Sequence, residues 1–478
     1  MVGIKEKISY GFGDMASSMF WKIFGMYLLF FYTDIFGLAP AAVGTMFFVT
    51  RIWDAVNDPI FGMLADHTES RWGKFRPWIL FGALPFAIFC VLTFAVPPTT
   101  WAPWTRLLYA YITYTLMMMA YSAVNVPYAS LLGVISSDGR DRNALSSYRM
   151  FFAYAGSLIA LAMTEPLVRF FSRSLDSDAL GWTFSVAVVG FLCLALLLLC
   201  FRGVRERVRP DASESGSVSE DLKDLLLHNR PWWILLGAGI TALIFNSVRD
   251  GAAIYYFKYY VHQEDTQAFG GFFTLSALYL MVGQLSNMAG VALSAPLADR
   301  LGKKRVYGGA MCIAALLSIV FFFLQPNQIV LMFVLQLLIS LCAGSIFPLL
   351  WSMYADIADW SEWKTGRRAT GLIFSSSSMS QKLGWTIGGA LTGWLLSFYG
   401  FQANEIQSAD AISGIRAMLG YLPAVGAVAS AILVSFYPLG DNTMREVAEG
   451  LESRRKQNDN KNEKYRSTCR RNAAASDN

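Results

Sequence analysis

Read for its hydrophobic and polar positions, the chain is a series of long apolar runs separated by short polar stretches. A helix that crosses the hydrocarbon core of a bilayer needs about 20 mostly apolar residues. Runs of that kind occupy 10–36, 43–65, 77–97, 105–132, 147–170, 181–201, 231–259, 268–297, 306–325, 328–354, 370–399 and 413–437, which predicts an all-α protein of twelve membrane-spanning helices. One long polar stretch, 202–230, interrupts the series between the sixth and seventh runs, with Pro, Ser, Glu and Arg and no apolar periodicity. The expected organisation is a six-helix bundle over 1–201, a linker over 202–230, a second six-helix bundle over 231–440, and a charged tail over 441–478. That tail is too polar to bury a core and is expected to be disordered at its end.

Composition agrees with the pattern. Of 478 residues, 55% are hydrophobic and only 15% charged, against about 25% charged in soluble chains. The six cysteines (Cys90, Cys193, Cys200, Cys312, Cys342, Cys469) have no metal-binding spacing and are expected mostly as small buried hydrophobes. His67, His228 and His262 fall between apolar runs, so neither a metal cluster nor a histidine-based catalytic triad is expected. Residues Met1 to Lys7 lead directly into an apolar run without a small-residue cleavage site, so the first helix is expected to stay in the protein. Of 39 Lys and Arg residues, only Arg106, Arg169, Arg173 and Lys258 fall in loops on the side opposite the N-terminus. The positive-inside rule then puts both termini in the cytoplasm of a cell that carries the protein in its membrane, a bacterial inner membrane by expectation. Basic loops of this kind lie against anionic lipid and give no reason to expect nucleic-acid binding.

The second run contains the most costly residues. Asp54 and Asp58 stand four apart on one helical face, with Asn57 beside them and Arg51 one turn before. Each charge at a membrane centre costs about 2.5 to 3.5 kcal/mol on insertion scales. Two readings follow: an ion pair with Arg51 that holds helices together, or a site for a small hard cation such as Na+, either aspartate being able to carry a proton instead.

Gly62-Met63-Leu64-Ala65-Asp66 followed by Arg71-Trp72-Gly73-Lys74-Phe75-Arg76 recurs in the second half as Pro296-Leu297-Ala298-Asp299-Arg300-Leu301-Gly302-Lys303-Lys304-Arg305. An acid, a glycine and clustered bases at equivalent places in two six-helix halves resemble the major facilitator superfamily, whose halves are parallel repeats. Five further stretches narrow the resemblance: Ser9-Tyr10-Gly11-Phe12-Gly13-Asp14, Tyr32-Thr33-Asp34, Arg51 to Pro59, Arg71 to Trp78, and Ala355 to Gly366. They are similar to the glycoside-pentoside-hexuronide:cation symporters, the melibiose permease-like branch, over nearly the whole chain.

That resemblance implies a cation site of Asp54, Asn57, Asp58 and a hydroxyl from the fourth helix, Ser122, where melibiose permease has threonine. It implies a sugar site that includes Arg149 and Lys382. The family's two sugar-binding aspartates are replaced here by Ser18 and Asn125, and its tryptophan by Ala129, which puts galactoside recognition in doubt. Lys22 and the pair Arg249-Asp250 bring further charge toward the cavity, and Trp21, Tyr27, Tyr128 and Trp385 are candidates to stack on a sugar ring. Two cations without their family counter-charges suggest an anionic substrate such as a hexuronide; the alternative is that Asp14, Asp34 or Asp250 neutralises them. Asp66, Arg71 and Asp299 are expected in gating loops. Asp356, Asp359, Glu362 and Lys364 are expected in a charged loop after the tenth helix, forming a latch with Arg140, Arg142 or loop bases.

The expected function is secondary active symport of a sugar or glycoside with Na+, Li+ or H+ by alternating access, without a cofactor and without enzymatic activity. A lysolipid carrier of a related branch and a polytopic membrane enzyme or sensor are the competing classes.

Overall fold

The computed structural model describes residues 2–98, 100–136, 139–207, 229–262, 273–365, 370–440, 443–447, 449–451 and 453. Six helices form the first half: α1 (Ile4–Phe30), α2 (Pro40–Asp66), α3 (Arg76–Thr93), α4 (Pro103–Ile135), α5 (Gly139–Leu175) and α6 (Asp178–Gly203). The second half holds α7 (Arg230–Tyr255), α8 (Leu275–Leu301), α9 (Lys303–Phe322), α10 (Ile329–Thr365), α11 (Thr370–Phe398), and the pair α12 (Ala409–Leu419) and α13 (Tyr421–Ser435), which together make the twelfth span. Local chemistry fixes where several begin. Pro40, Pro103 and Pro231 sit in first turns, where a missing N–H costs nothing. Asn229, Thr274 and Ser408 accept hydrogen bonds from the backbone N–H three residues on.

Among the described residues nine helices are long and apolar enough to cross a membrane. α1, α2 and α11 match them in length but carry more polar residues, and these are the helices that supply most of the site described below. In the first bundle α1 packs on α5 and α6, α3 on α4 and α6, and α2 on α4; in the second α7 packs on α11 and α13, α8 on α10, and α9 on α13 and α10. The halves meet along α2 with α11, α5 with α8, and α1 with α7. The α2–α11 crossing is close because it is lined by glycine: a Cβ on Gly44 would lie 2.7 Å from the carbonyl oxygen of Ala390, and one on Gly393 2.6 Å from that of Pro40.

The first helix of each half ends in a wide π turn, Phe31–Ile35 after α1 and Tyr256–Val261 after α7. These matched turns lie at the end of the molecule opposite the N-terminus, and they bring Asp34 of one half against Lys258 of the other. At the near end the start of the chain is pinned, the Val2 N–H donating to Asp141 Oδ2 at 2.9 Å. That bond, with the amino terminus and Lys7 nearby, holds the Asp141 carboxyl below the usual carboxylate range.

Two expectations need correction, and a third group falls largely outside the described residues. Asp356, Asp359, Glu362 and Lys364 do not follow the tenth helix in a loop: α10 continues through Thr365, because a helix goes on past the bilayer wherever its residues still favour it. Cys312 is exposed on α9, unlike buried Cys90, Cys193 and Cys200; Cys469 lies outside the described residues. The eighth helix starts at Leu275, and the predicted residues 268–272, like the linker from 208 to 228, His228 and the tail beyond 453, fall outside the described residues.

Candidate functional site

Two carboxylates, one hydroxyl and two cations meet where α2, α4 and α11 converge. Asp54 and Asn57 are fully buried, and Asp58 half-buried, on one face of α2. Ser122 Oγ on α4, with no exposure at all, lies 3.0 Å from Asp54 Oδ1 and 2.7 Å from Asp58 Oδ1. A hydroxyl has one proton, so it cannot satisfy both acceptors at once. Positive charge does the rest. Arg51 Nη1 is 3.5 Å from Asp54 Oδ2, with its guanidinium 4.1 Å above the Trp21 ring. Lys382 Nζ, from α11 in the other bundle, is 3.7 Å from Asp54 Oδ2 and in direct contact with Asp58 Oδ2.

Formally the cluster is neutral, two carboxylates against Arg51 and Lys382. Asn57 Nδ2 is buried without a hydrogen-bond partner among the described residues. Because amide nitrogen and oxygen are interchangeable by a flip, the orphaned end can equally present an oxygen toward a cation. The donor set of carboxylates, an amide and a hydroxyl fits a hard monovalent ion, and no group of three or more His, Cys, Asp or Glu suited to a multivalent metal occurs among the described residues.

Beside this cluster lies a central cavity of about 390 Å³ whose walls include Ser18, Lys22, Trp21, Tyr121, Lys382 and Trp385. Lys382 therefore belongs to both places: its ammonium sits on the carboxylates while its side chain, about a third exposed, lines the cavity. Trp21 and Tyr121 meet edge to face at 5.2 Å and give the cavity an aromatic wall. Ser247 Oγ donates to the Trp385 carbonyl at 3.2 Å, tying α7 to α11 at the cavity's rim.

Of the residues expected to bind substrate, Ser18, Lys22, Lys382 and Trp385 line this cavity; Asn125 and Arg149 do not. Asn125 Oδ1 accepts from Ser17 Oγ at 3.5 Å. Arg149 Nε donates to Asp14 Oδ2 at 3.0 Å and its guanidinium lies 5.5 Å from the Tyr128 ring centroid. The cation expected to lack a counter-charge thus has one, supplied by Asp14 on α1.

The far end of the cavity is sealed by contacts between bundles. Asp34 accepts from Lys258 Nζ at 2.9 Å and from the Tyr259 hydroxyl, and its carbonyl accepts from Asn404 Nδ2 at 2.6 Å. Thr33 Oγ1 and Tyr255 OH are 2.8 Å apart. Glu165 on α5 forms a second seal, accepting from Tyr27 OH and Ser276 Oγ at 3.2 Å each and from Thr274 Oγ1. The sequence carried a signal for Glu165, a lone carboxylate within an apolar run, ahead of Pro166.

At the near end Asp356 bonds Lys303 Nζ at 2.7 Å, a pairing inside the second bundle and not across the two. Glu206 likewise caps the backbone N–H groups of Lys74, Phe75 and Arg76 within the first. Arg71 is exposed over the Trp72 ring, Asp299 is exposed, and Asp359 and Glu362 are half-buried on α10. The side chains of Asp66, Arg140 and Arg142 lie outside the described residues.

Residues 9–441 match the family model described as MFS/sugar transport protein. The chain is 37% identical over 453 residues to the Escherichia coli inner membrane symporter YicJ, covering 94% of this chain and 95% of that one. It is 35% identical over 449 residues to the putative glycoside/cation symporter YagG of Escherichia coli (94% and 95%), and 31% identical over 459 residues to that organism's glucuronide carrier protein homolog (94% and 95%). Among solved structures, the nucleoside transporter NupG superposes with a TM-score of 0.61 at 14% identity, covering 90% of this chain and 98% of that one, a likeness of fold.

Proposed function

Because the chain belongs to the MFS/sugar transport family of the major facilitator superfamily, a multi-pass membrane transporter and not an enzyme, we propose that it takes up a neutral glycoside together with one monovalent cation. The cation, Na+, Li+ or H+, binds at Asp54, Asp58, Ser122 and Asn57. The glycoside occupies the central cavity, whose about 390 Å³ lies within the range of small-molecule sites. The observation that carries this reading is the double placement of Lys382, which neutralises the carboxylate pair while lining the cavity.

A cation cannot join a cluster that is already neutral without driving a positive charge out. Lys382 is the mobile one, since Arg51 is clamped between Asp54 and the Trp21 ring. Displaced, its ammonium swings into the cavity and offers three donors to sugar oxygens. Cation binding thereby prepares the sugar site, and sugar that holds Lys382 retains the cation, which is coupling by linkage. One monovalent cation moving down about 100 mV supplies about 2.3 kcal/mol.

With the termini placed in the cytoplasm by their basic loops, the sealed far end faces outward. Asp34–Lys258 and Glu165 then act as the outer gate, and Asp66, Arg71, Asp299, Asp356, Asp359 and Glu362 belong to the inner one. Neutral substrate is favoured over a hexuronide because Arg149 is paired with Asp14 outside the cavity, and Arg51 and Lys22, which face it, have Asp54 and Asp250 as acidic neighbours. The relative named for glucuronide keeps the charged alternative open to test. Close α2–α11 and α5–α8 packing argues against a lipid entering from the side.

The test is gradient-driven uptake into proteoliposomes of a panel of 4-nitrophenyl glycosides, neutral and uronic. Accumulation of a neutral member with Na+, Li+ or H+ is expected. Accumulation of uronides alone refutes the neutral substrate, and accumulation of none refutes glycoside transport.

A further inference from the structure

Beyond the central cavity, and resting on the glycoside reading, we infer that a pouch between the bundles, walled by Lys22, Asp250 and Gln284, is a subsite that takes one hydroxyl of the substrate and reads its position. The pouch has a volume of about 10 Å³ and shares Lys22 and Met26 with the central cavity, so it adjoins the sugar's space. That volume is near the minimum for one water-sized group. A sugar ring cannot enter it; a hydroxyl can.

Its walls are polar and unspent. Gln284 on α8 is only 5% exposed, yet neither its amide nor the Asp250 carboxylate on α7 makes a hydrogen bond among the described residues. Asn287 Oδ1, one turn after Gln284, is also buried without a partner among them. Arg249 next to Asp250 is the opposite case, its guanidinium held by Ser318, Tyr279, Gln336 and the carbonyl of Leu419. Arg249 is therefore part of the wall, and Asp250 and Gln284 remain free to bind. Gly283 keeps the space open, since a Cβ there would lie 2.4 Å from Gln336 Nε2 and 3.2 Å from Ser340 Oγ.

Lys22 and Asp250 come from opposite bundles, face the same pouch, and form no ion pair within 4.0 Å. An ammonium only donates and an ionised carboxylate only accepts. A hydroxyl does both, so it can bridge the two, donating a hydrogen bond to Asp250 and accepting one from Lys22, with Gln284 completing the shell. Charge-assisted bonds of this kind are the strong ones, and losing the hydroxyl would strand the buried groups that read it. Because the bridge joins α1 to α7, a substrate that fills the pouch also ties the halves together.

The experiment uses the full chain in lipid nanodiscs. The tightest-binding 4-nitrophenyl glycoside of the panel is found by calorimetry, and each of its monodeoxy derivatives is then measured on wild type, Asp250→Asn and Gln284→Leu. In wild type one deoxy position is expected to weaken binding about tenfold or more. Both variants should shrink that single penalty to under about threefold while leaving the other positions' penalties as they were. Each penalty is a ratio within one preparation, so a partly folded variant still reports it, and either variant suffices. Penalty profiles unchanged in the variants mean that the pouch holds water only, and overturn the inference while glycoside binding stands. Failure of every glycoside to bind wild type overturns the glycoside reading and this inference with it.

Discussion

Replacing Lys382 with glutamine should tighten cation binding. In the native cluster Arg51 and Lys382 balance Asp54 and Asp58, and an incoming cation has to dislodge the Lys382 ammonium from contact with Asp58 and from 3.7 Å of Asp54. Lys382→Gln removes that competitor and leaves the cluster with a net charge of −1. Two unit charges about 4 Å apart attract by about 4 kcal/mol at an effective dielectric of about 20. The Lys382 side chain is 32% exposed, so solvent screening cuts its hold on the carboxylates to about 2 kcal/mol. Release from that competition raises Na+ or Li+ affinity about 30-fold. Trp21, stacked 4.1 Å under Arg51, and Trp385, one turn beyond Lys382, provide an intrinsic fluorescence signal for titrating purified protein with NaCl against choline chloride. Sugar affinity should fall in the same variant, because the displaced ammonium is no longer there to meet it. An unchanged or weaker cation affinity in Lys382→Gln would refute the competition.

Asp54→Asn and Asp58→Asn should each abolish cation-driven accumulation, since a hard cation needs formal negative charge, while cation-independent exchange of the glycoside persists; transport in vesicles separates the two. Arg149→Lys should weaken neutral and uronic glycosides alike, because Arg149 is bound to Asp14 and stands outside the cavity; selective loss of the uronide would show that Arg149 grips a carboxylate. Asp34→Asn removes one partner of a buried inter-bundle ion pair, worth about 3 to 5 kcal/mol when broken, and should shift the population toward the outward-open form, seen as faster thiol labelling of a cysteine placed at Ser18. Reporter fusions at Asn478 and within 208–228 should both give cytoplasmic signals; an external signal from the tail would contradict the orientation.

The carboxylate pair was legible in the sequence because helical spacing alone puts Asp54 and Asp58 on one stripe, and charge inside an apolar run is too costly to be idle. Ser122 came through family resemblance. Their third partner was not legible: Lys382 lies more than 300 residues away in the other bundle, and local periodicity carries no information on which face of α11 meets α2. Asp14, 135 residues from Arg149, stood among the three carboxylates the sequence offered as its counter-charge, and their pairing removes one motive for an anionic substrate. The acidic segment from Asp356 to Lys364 reads as a loop because the apolar run stops before it, but an apolar run marks where the bilayer ends and not where the helix does. The matched π turns that set Asp34 against Lys258 left no sequence mark beyond the two charges themselves.

Coupling of one cation to each glycoside is read from the charge carried per turnover. Proteoliposomes adsorbed on a solid-supported membrane, in equal Na+ on both sides, are given a step of the neutral glycoside and the current is recorded. A glycoside-evoked inward current of one positive charge per sugar is expected, absent in Asp54→Asn and Asp58→Asn. Tracer uptake of the same glycoside without current, or a current that survives both substitutions, would contradict it.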